Sequence, residues 1–112
     1  MATNDSIPPG TLYMLVLKTL ARLGPMHGYG IAQFIQETSD GVLEVEEGSL
    51  YPALQRMLLK GWVEAEWRQT ENNRRARFYS MTAEGRKTLR SEVQSFDRVN
   101  RAIELIIHPS EG

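Results

Sequence analysis

Hydrophobic positions recur with two different periods along this chain, and Gly and Pro mark where one element gives way to the next. After a polar start closed by Pro8, Pro9 and Gly10, the run Leu12, Tyr13, Met14, Leu15, Val16, Leu17 opens a helix expected from Thr11 to about Leu23. Thr11 is its expected N-cap and Gly24-Pro25 its stop. The run is apolar on every side, and a helix without a polar face must be covered on more than one side. In so short a chain the second cover is expected to come from another subunit. Ile31, Phe34 and Ile35 predict a second helix from about Tyr29 to Thr38, leaving through Ser39-Asp40-Gly41. "VLEV" (42–45) reads as either a short strand or an extended link.

The third helix lies within "EEGSLYPALQRMLLKG" (46–61), where Leu50, Leu54, Met57 and Leu58 share one face. Proline is best tolerated in a first turn, where its missing N–H had no intrahelical partner, so Pro52 places the helix start near Gly48 or Ser49. Glu44, Glu46 and Glu47 stand before or at that start, complement the helix dipole, and are read as caps. The period then changes to two. "WVEAEWR" (62–68) and "ARFYSMT" (76–82) are strands separated by the polar tip "QTENNRR". Trp62 and Trp67, five residues apart, are expected on opposite strand faces with one in the core. A last helix is expected from Thr82 to about His108, with Leu89, Val93, Phe96, Val99, Ile103 and Ile106 forming a stripe about five turns long. Its start, "TAEG", departs from a capping box in that Gly85 stands where Glu or Gln belongs.

Helix, helix, helix, hairpin is the winged helix-turn-helix order. The expected fold is α+β, mainly α, with a two-stranded β wing and a long C-terminal helix. The first ten residues form a flexible tail, 11–82 the winged-helix domain, and 83–108 the final helix. The third helix would be the reader. Its outward set, Ser49, Tyr51, Pro52, Gln55 and Arg56, is a compact polar and aromatic surface. A tyrosine there can donate to a phosphate or stack on a sugar or thymine methyl, and Gln and Arg suit base edges.

Composition and charge sharpen this picture. The 112 residues, 41% hydrophobic and 24% charged, describe one soluble globular domain. No window approaches the roughly 18 to 20 consecutive apolar residues of a membrane span, and "MATNDSIPPG" lacks a secretory signal pattern, so a cytoplasmic location without membrane contact is expected. Zero cysteines exclude disulfides, thiolate metal sites and cysteine nucleophiles. The net charge of −1 conceals a cluster: Arg68, Arg74, Arg75 and Arg77 stand against the single Glu71 within 68–79. Asn72 and Asn73 lie inside it.

The blocks "HGYGIAQFIQ", "EEGSLYPALQRMLLKGWVEAEW" and "ENNRRARFYSMTAEGRKTL" resemble, in order and separation, the signature blocks of PadR-type transcriptional regulators over positions 11 to 107. The resemblance implies a homodimeric winged-helix repressor that binds a pseudo-palindromic operator in double-stranded DNA. It also implies release by a small molecule or another signal, and membership of the short subgroup with one C-terminal helix. In that family the reading-helix tyrosine works with basic wing groups, which here are Arg74, Arg75 and Arg77 beside Asn73. The first and last helices usually build the dimer, implying an interface of Leu12, Leu15 and Val16 with Leu89, Val93, Phe96, Val99, Ile103 and Ile106. Family dimer interfaces can leave a cavity for planar apolar or aromatic ligands, which makes Phe96 a candidate for an effector pocket; Trp67, if it is the tryptophan outside the core, could line a pocket as well or merely cover the wing.

Other readings stand beside these. Tyr51 could be half-buried core, and the arginines could pair with Glu64, Glu66 and Glu71, although exposed pairs contribute only about 0 to 1 kcal/mol. Arg77, in a strand, could pack across the hairpin. His27 reads as a helix cap or a phosphate contact, and with His108 far away it belongs to no metal-ligand cluster. The competing function is a winged-helix module that serves protein assembly without DNA. No enzyme is expected, since phosphate loops and nucleophile elbows are absent from the sequence, and no cofactor follows.

Overall fold

The computed structural model describes Ile7 and residues 10–109; the expected tail, Ile7 and Gly10 apart, lies outside the described residues. The element order is α1 (Thr11–Leu23), β1 (Met26–His27), α2 (Gly28–Thr38), α3 (Glu47–Leu59), β2 (Val63–Gln69), β3 (Arg75–Met81) and α4 (Ala83–Ile107). This is a winged helix-turn-helix, mainly α, with a long C-terminal helix. Its sheet has three antiparallel strands in the order β1-β3-β2 rather than two, because Met26 and His27 pair with Tyr79 and Phe78. Two residues are too few to show a period of two, so β1 leaves no pattern in the sequence. The "VLEV" segment is an extended link with Leu43 in an isolated bridge.

Helix α1 occupies the centre. Met14, Val16, Leu17, Thr19 and Leu20 are buried, and the helix packs against α2, α3, α4 and β3. Much of its apolar surface is thus met within one chain. Val16, at 0% exposure, lies wholly in this core, and Leu89 of α4 joins it at 7%, so neither is free to face a partner. Leu12, Leu15 and Val93 are half-buried against the same core. The N-cap of α1 is Gly10, not Thr11: at φ 85° it takes the left-handed conformation open to glycine, and Thr11 becomes the first helical residue.

Two starts differ from expectation in ways that position the reading face. Helix α3 begins at Glu47, with the Glu46 carbonyl accepting from Ser49 N at 3.0 Å and Leu50 N at 2.9 Å. Pro52 is therefore the sixth helical residue rather than part of the first turn. The carbonyl its absent N–H fails to serve belongs to Gly48, which is exposed and has open space around it, so water can satisfy it. Glu46 holds the N-cap position but makes no capping bond with its side chain.

At α4 the cap is Thr82, whose Oγ1 accepts from Gly85 N at 3.0 Å and donates to the Gly61 carbonyl at 2.6 Å. Gly85 breaks the capping box for a steric reason. A Cβ there would lie 2.0 Å from the carbonyl oxygen of Trp62, so the helix can abut the entry to β2 only without a side chain. Beyond Val93 every described residue of α4 is exposed, Phe96, Val99, Ile103 and Ile106 among them.

Candidate nucleic-acid interface

The alternation of β2 and β3 decides which wing side chains meet the helices. Register pairs Ala65 with Tyr79, Trp67 with Arg77 and Gln69 with Arg75, so these six share the face turned towards α2 and α3. Burial falls along that face from Val63 and Tyr79, in the core, to the exposed Trp67, Arg75 and Arg77. The other face carries Arg68, whose Nε donates to Glu66 Oε1 at 2.6 Å and whose guanidinium lies 5.3 Å from the Phe78 ring centroid. Arg68 is thus neutralised and set apart from its neighbours in sequence.

Between the wing and the helices runs a cleft of about 530 Å³, lined on one side by Trp67, Arg74, Arg75 and Arg77 and on the other by Tyr29 and Tyr51. The Arg75 guanidinium sits 5.5 Å from the Trp67 centroid, and that of Arg77 5.9 Å from Tyr79. Such interactions contribute only about 0.5–1 kcal/mol at exposed sites, enough to orient a long side chain without neutralising it. Among the described residues Arg74, Arg75 and Arg77 form no ion pair. The cleft therefore presents three uncompensated cations and flat aromatic rings, the groups that hold phosphates and stack on sugars or bases.

Tyr51 is partly covered and partly free. It is 46% exposed, yet its ring lies against Gly28, where an added Cβ would come within 2.9 Å of Cε1. Burial, then the carboxylate of Glu47 one turn earlier, then Tyr79 raise its pKa above the ordinary 10.0. At neutral pH the hydroxyl keeps its proton and can donate. Ser49, Pro52 and Gln55 are exposed on the same helix, Gln55 one turn beyond Tyr51.

Two candidates also have partners within the chain. Arg56 turns away to α1, its Nε donating to Tyr13 Oη at 2.7 Å; Tyr13 in turn meets Trp62 edge-on at 5.7 Å. It joins the framework behind the reading face. Asn73 is the turn residue of the five-residue tip, at φ 61°, with its N–H donating to the Thr70 carbonyl at 3.0 Å and its Oδ1 accepting from Gln69. Asparagine tolerates that left-handed conformation better than most residues, which accounts for its place there. Within one chain Trp67, 60% exposed, lines the cleft, and Phe96 lies on α4 outside it.

Sequence reasoning passed over Tyr29 and Gly28. Tyr29 is 67% exposed and borders both this cleft and a groove of about 190 Å³ between α2 and α3. Its signal was an aromatic between two glycines at a helix start, at a position that the helical period leaves off the core face. His27 resolves as a cap: its Nδ1 accepts from Gly30 N at 2.9 Å. Among the described residues no group of three or more His, Cys, Asp and Glu could hold a metal ion, and no helix is long and apolar enough to cross a membrane.

Three helices, a sheet-based wing and a cationic, aromatic face between them define a winged helix-turn-helix protein. The profile of the PadR-like family of transcriptional regulators matches residues 16–91, and the chain belongs to that family, whose members bind DNA and are not enzymes. A PadR family transcription regulator from Clostridium difficile is 25% identical, with a TM-score of 0.75 over 88% of this chain and 99% of that one. A Streptococcus mutans protein shares the fold at a TM-score of 0.82 and 20% identity, with 98% of each chain covered. An uncharacterized 37.1 kDa protein in transposon TN4556 of Streptomyces fradiae is 39% identical over 100 residues, which are 89% of this chain. The chain spans 25% of that relative's length.

Proposed function

We propose that the protein is a homodimeric repressor that binds a pseudo-palindromic operator, reads it with Ser49, Tyr51 and Gln55 of α3, and grips the flanking backbone with Arg74, Arg75 and Arg77. The observation that carries this is the set of unpaired wing arginines facing Tyr51 across one cleft. A module that only docked on proteins would have no evident need of it. The dimer is supported by the apolar side chains that α4 leaves uncovered: Phe96 is 46% exposed, Val99 51%, Ile103 45% and Ile106 80%. Burying such a stripe against a second α4, beside the outer edges of Leu12 and Leu15, removes it from water. A planar apolar effector would enter at the Phe96 face and release DNA by changing the separation of the two reading heads. This role belongs in the cytoplasm.

Footprinting of the protein on DNA from its own cell tests the proposal. Two protected half-sites about 34–36 Å apart, or a multiple of that, are expected. Unpaired single sites, or no protection, would refute it.

A further inference from the structure

Glu47 is the first helical residue of α3, exposed, and its side chain makes no hydrogen bond or ion pair among the described residues. The N-cap position belongs to Glu46, and Glu47 complements the helix dipole from the first turn without using its carboxylate oxygens in a bond. It lies one turn before Tyr51 and two before Gln55, so the three form one stripe along the outward face of the reading helix. The polar residues that line the groove between α2 and α3 with it are Tyr29, Gln33, Gln36 and Tyr51, none of them cationic, and its charge acts on the Tyr51 hydroxyl. A bare carboxylate on a face that approaches a polyanion is repelled by phosphates. With the outward face of α3 seated in the major groove, as proposed above, the stripe meets base edges as well as backbone, and there the amino group of cytosine offers a donor to an acceptor-only side chain. Residues at the N-terminal end of a recognition helix are the ones that reach such edges.

We propose that Glu47 reads a base, accepting from the N4 amino group of a cytosine in the major groove of each half-site. This rests on the DNA-binding reading above and adds to it a chemical preference at one base pair. The test is affinity selection from a randomised duplex library with the full-length protein and its Glu47→Ala and Glu47→Gln variants, each checked for an unchanged thermal melt. Wild type should enrich one cytosine per half-site at a position that Glu47→Ala loses while keeping the other positions. Discrimination at that pair should fall at least about fivefold. Glu47→Gln should move the preference towards adenine, whose N6 and N7 suit an amide. If Glu47→Ala keeps every preference, or tightens binding to all duplexes by one factor, the carboxylate merely repels and the proposal is overturned. If wild type enriches no motif, the DNA-reading function itself fails, and the role of Glu47 with it.

Discussion

Gly28→Ala separates the reading function of Tyr51 from the stability of the fold. The added Cβ would lie 2.9 Å from Tyr51 Cε1, 3.0 Å from its oxygen and 3.1 Å from Cζ. Carbon atoms in comfortable contact sit about 3.5–4.0 Å apart, so the ring must retreat by roughly 0.5–1 Å. The backbone does not oppose the change, because Gly28 opens α2 at an ordinary helical conformation. Alanine at a helix start can recover up to about 0.5–1 kcal/mol of backbone entropy, while an off-rotamer tyrosine costs about 0.5–1.5 kcal/mol. These nearly cancel, and the midpoint of urea unfolding should move little. Binding should not be spared. A displaced Tyr51 forfeits an interaction worth about 1–3 kcal/mol, a five- to roughly 150-fold loss of operator affinity with little change on random duplex. Fluorescence anisotropy at fixed salt, on the footprinted operator and a scrambled duplex, measures both. Full operator affinity in a stably folded Gly28→Ala protein would show that the seat of Tyr51 on Gly28 has no part in reading.

Further expectations follow from the wing, the α4 junction and the tyrosine hydroxyl. Arg74→Ala and Arg75→Ala should each weaken operator and random duplex alike and lower the slope of log K against log salt by about 0.9 for each phosphate that is no longer neutralised; an unchanged slope would remove these residues from the backbone grip. Gly85→Ala must push α4 off the Trp62 carbonyl and should cost at least about 1–3 kcal/mol, several degrees of thermal midpoint, whereas Thr82→Ala should cost about 1 kcal/mol. A wild-type melt for Gly85→Ala would contradict the clash. Because Tyr51 titrates higher in the folded than in the unfolded chain, its contribution is complete below the unfolded pKa and is lost as pH rises past 10.0 through the folded value. Tyr51→Phe should abolish that small alkaline increment, as denaturation at pH 9 and 11 would reveal.

Much of this protein is visible from local pattern. The bounds of α1, the helical spacing in α2 and α3, the two long strands within one residue, and the stripe of α4 all follow from periods of 3.6 and 2. The arginine cluster, the outward Tyr51 and the anomaly at Gly85 stand in the sequence as well. Periodicity says which side chains share a face, because that depends only on the neighbouring backbone. It does not say what covers the face. The three-dimensional packing alone set Val16 and Leu89 inside a single chain, turned Arg56 to Tyr13, and gave Asn73 to the turn. It also separated Trp67 from Phe96 and made His27 both cap and strand partner. The Asn73 turn and the His27 cap are local, but the others depend on an approach between residues far apart in the chain, and the reason for Gly85 is of the same kind: a carbonyl oxygen 23 residues earlier occupies the space its side chain would need.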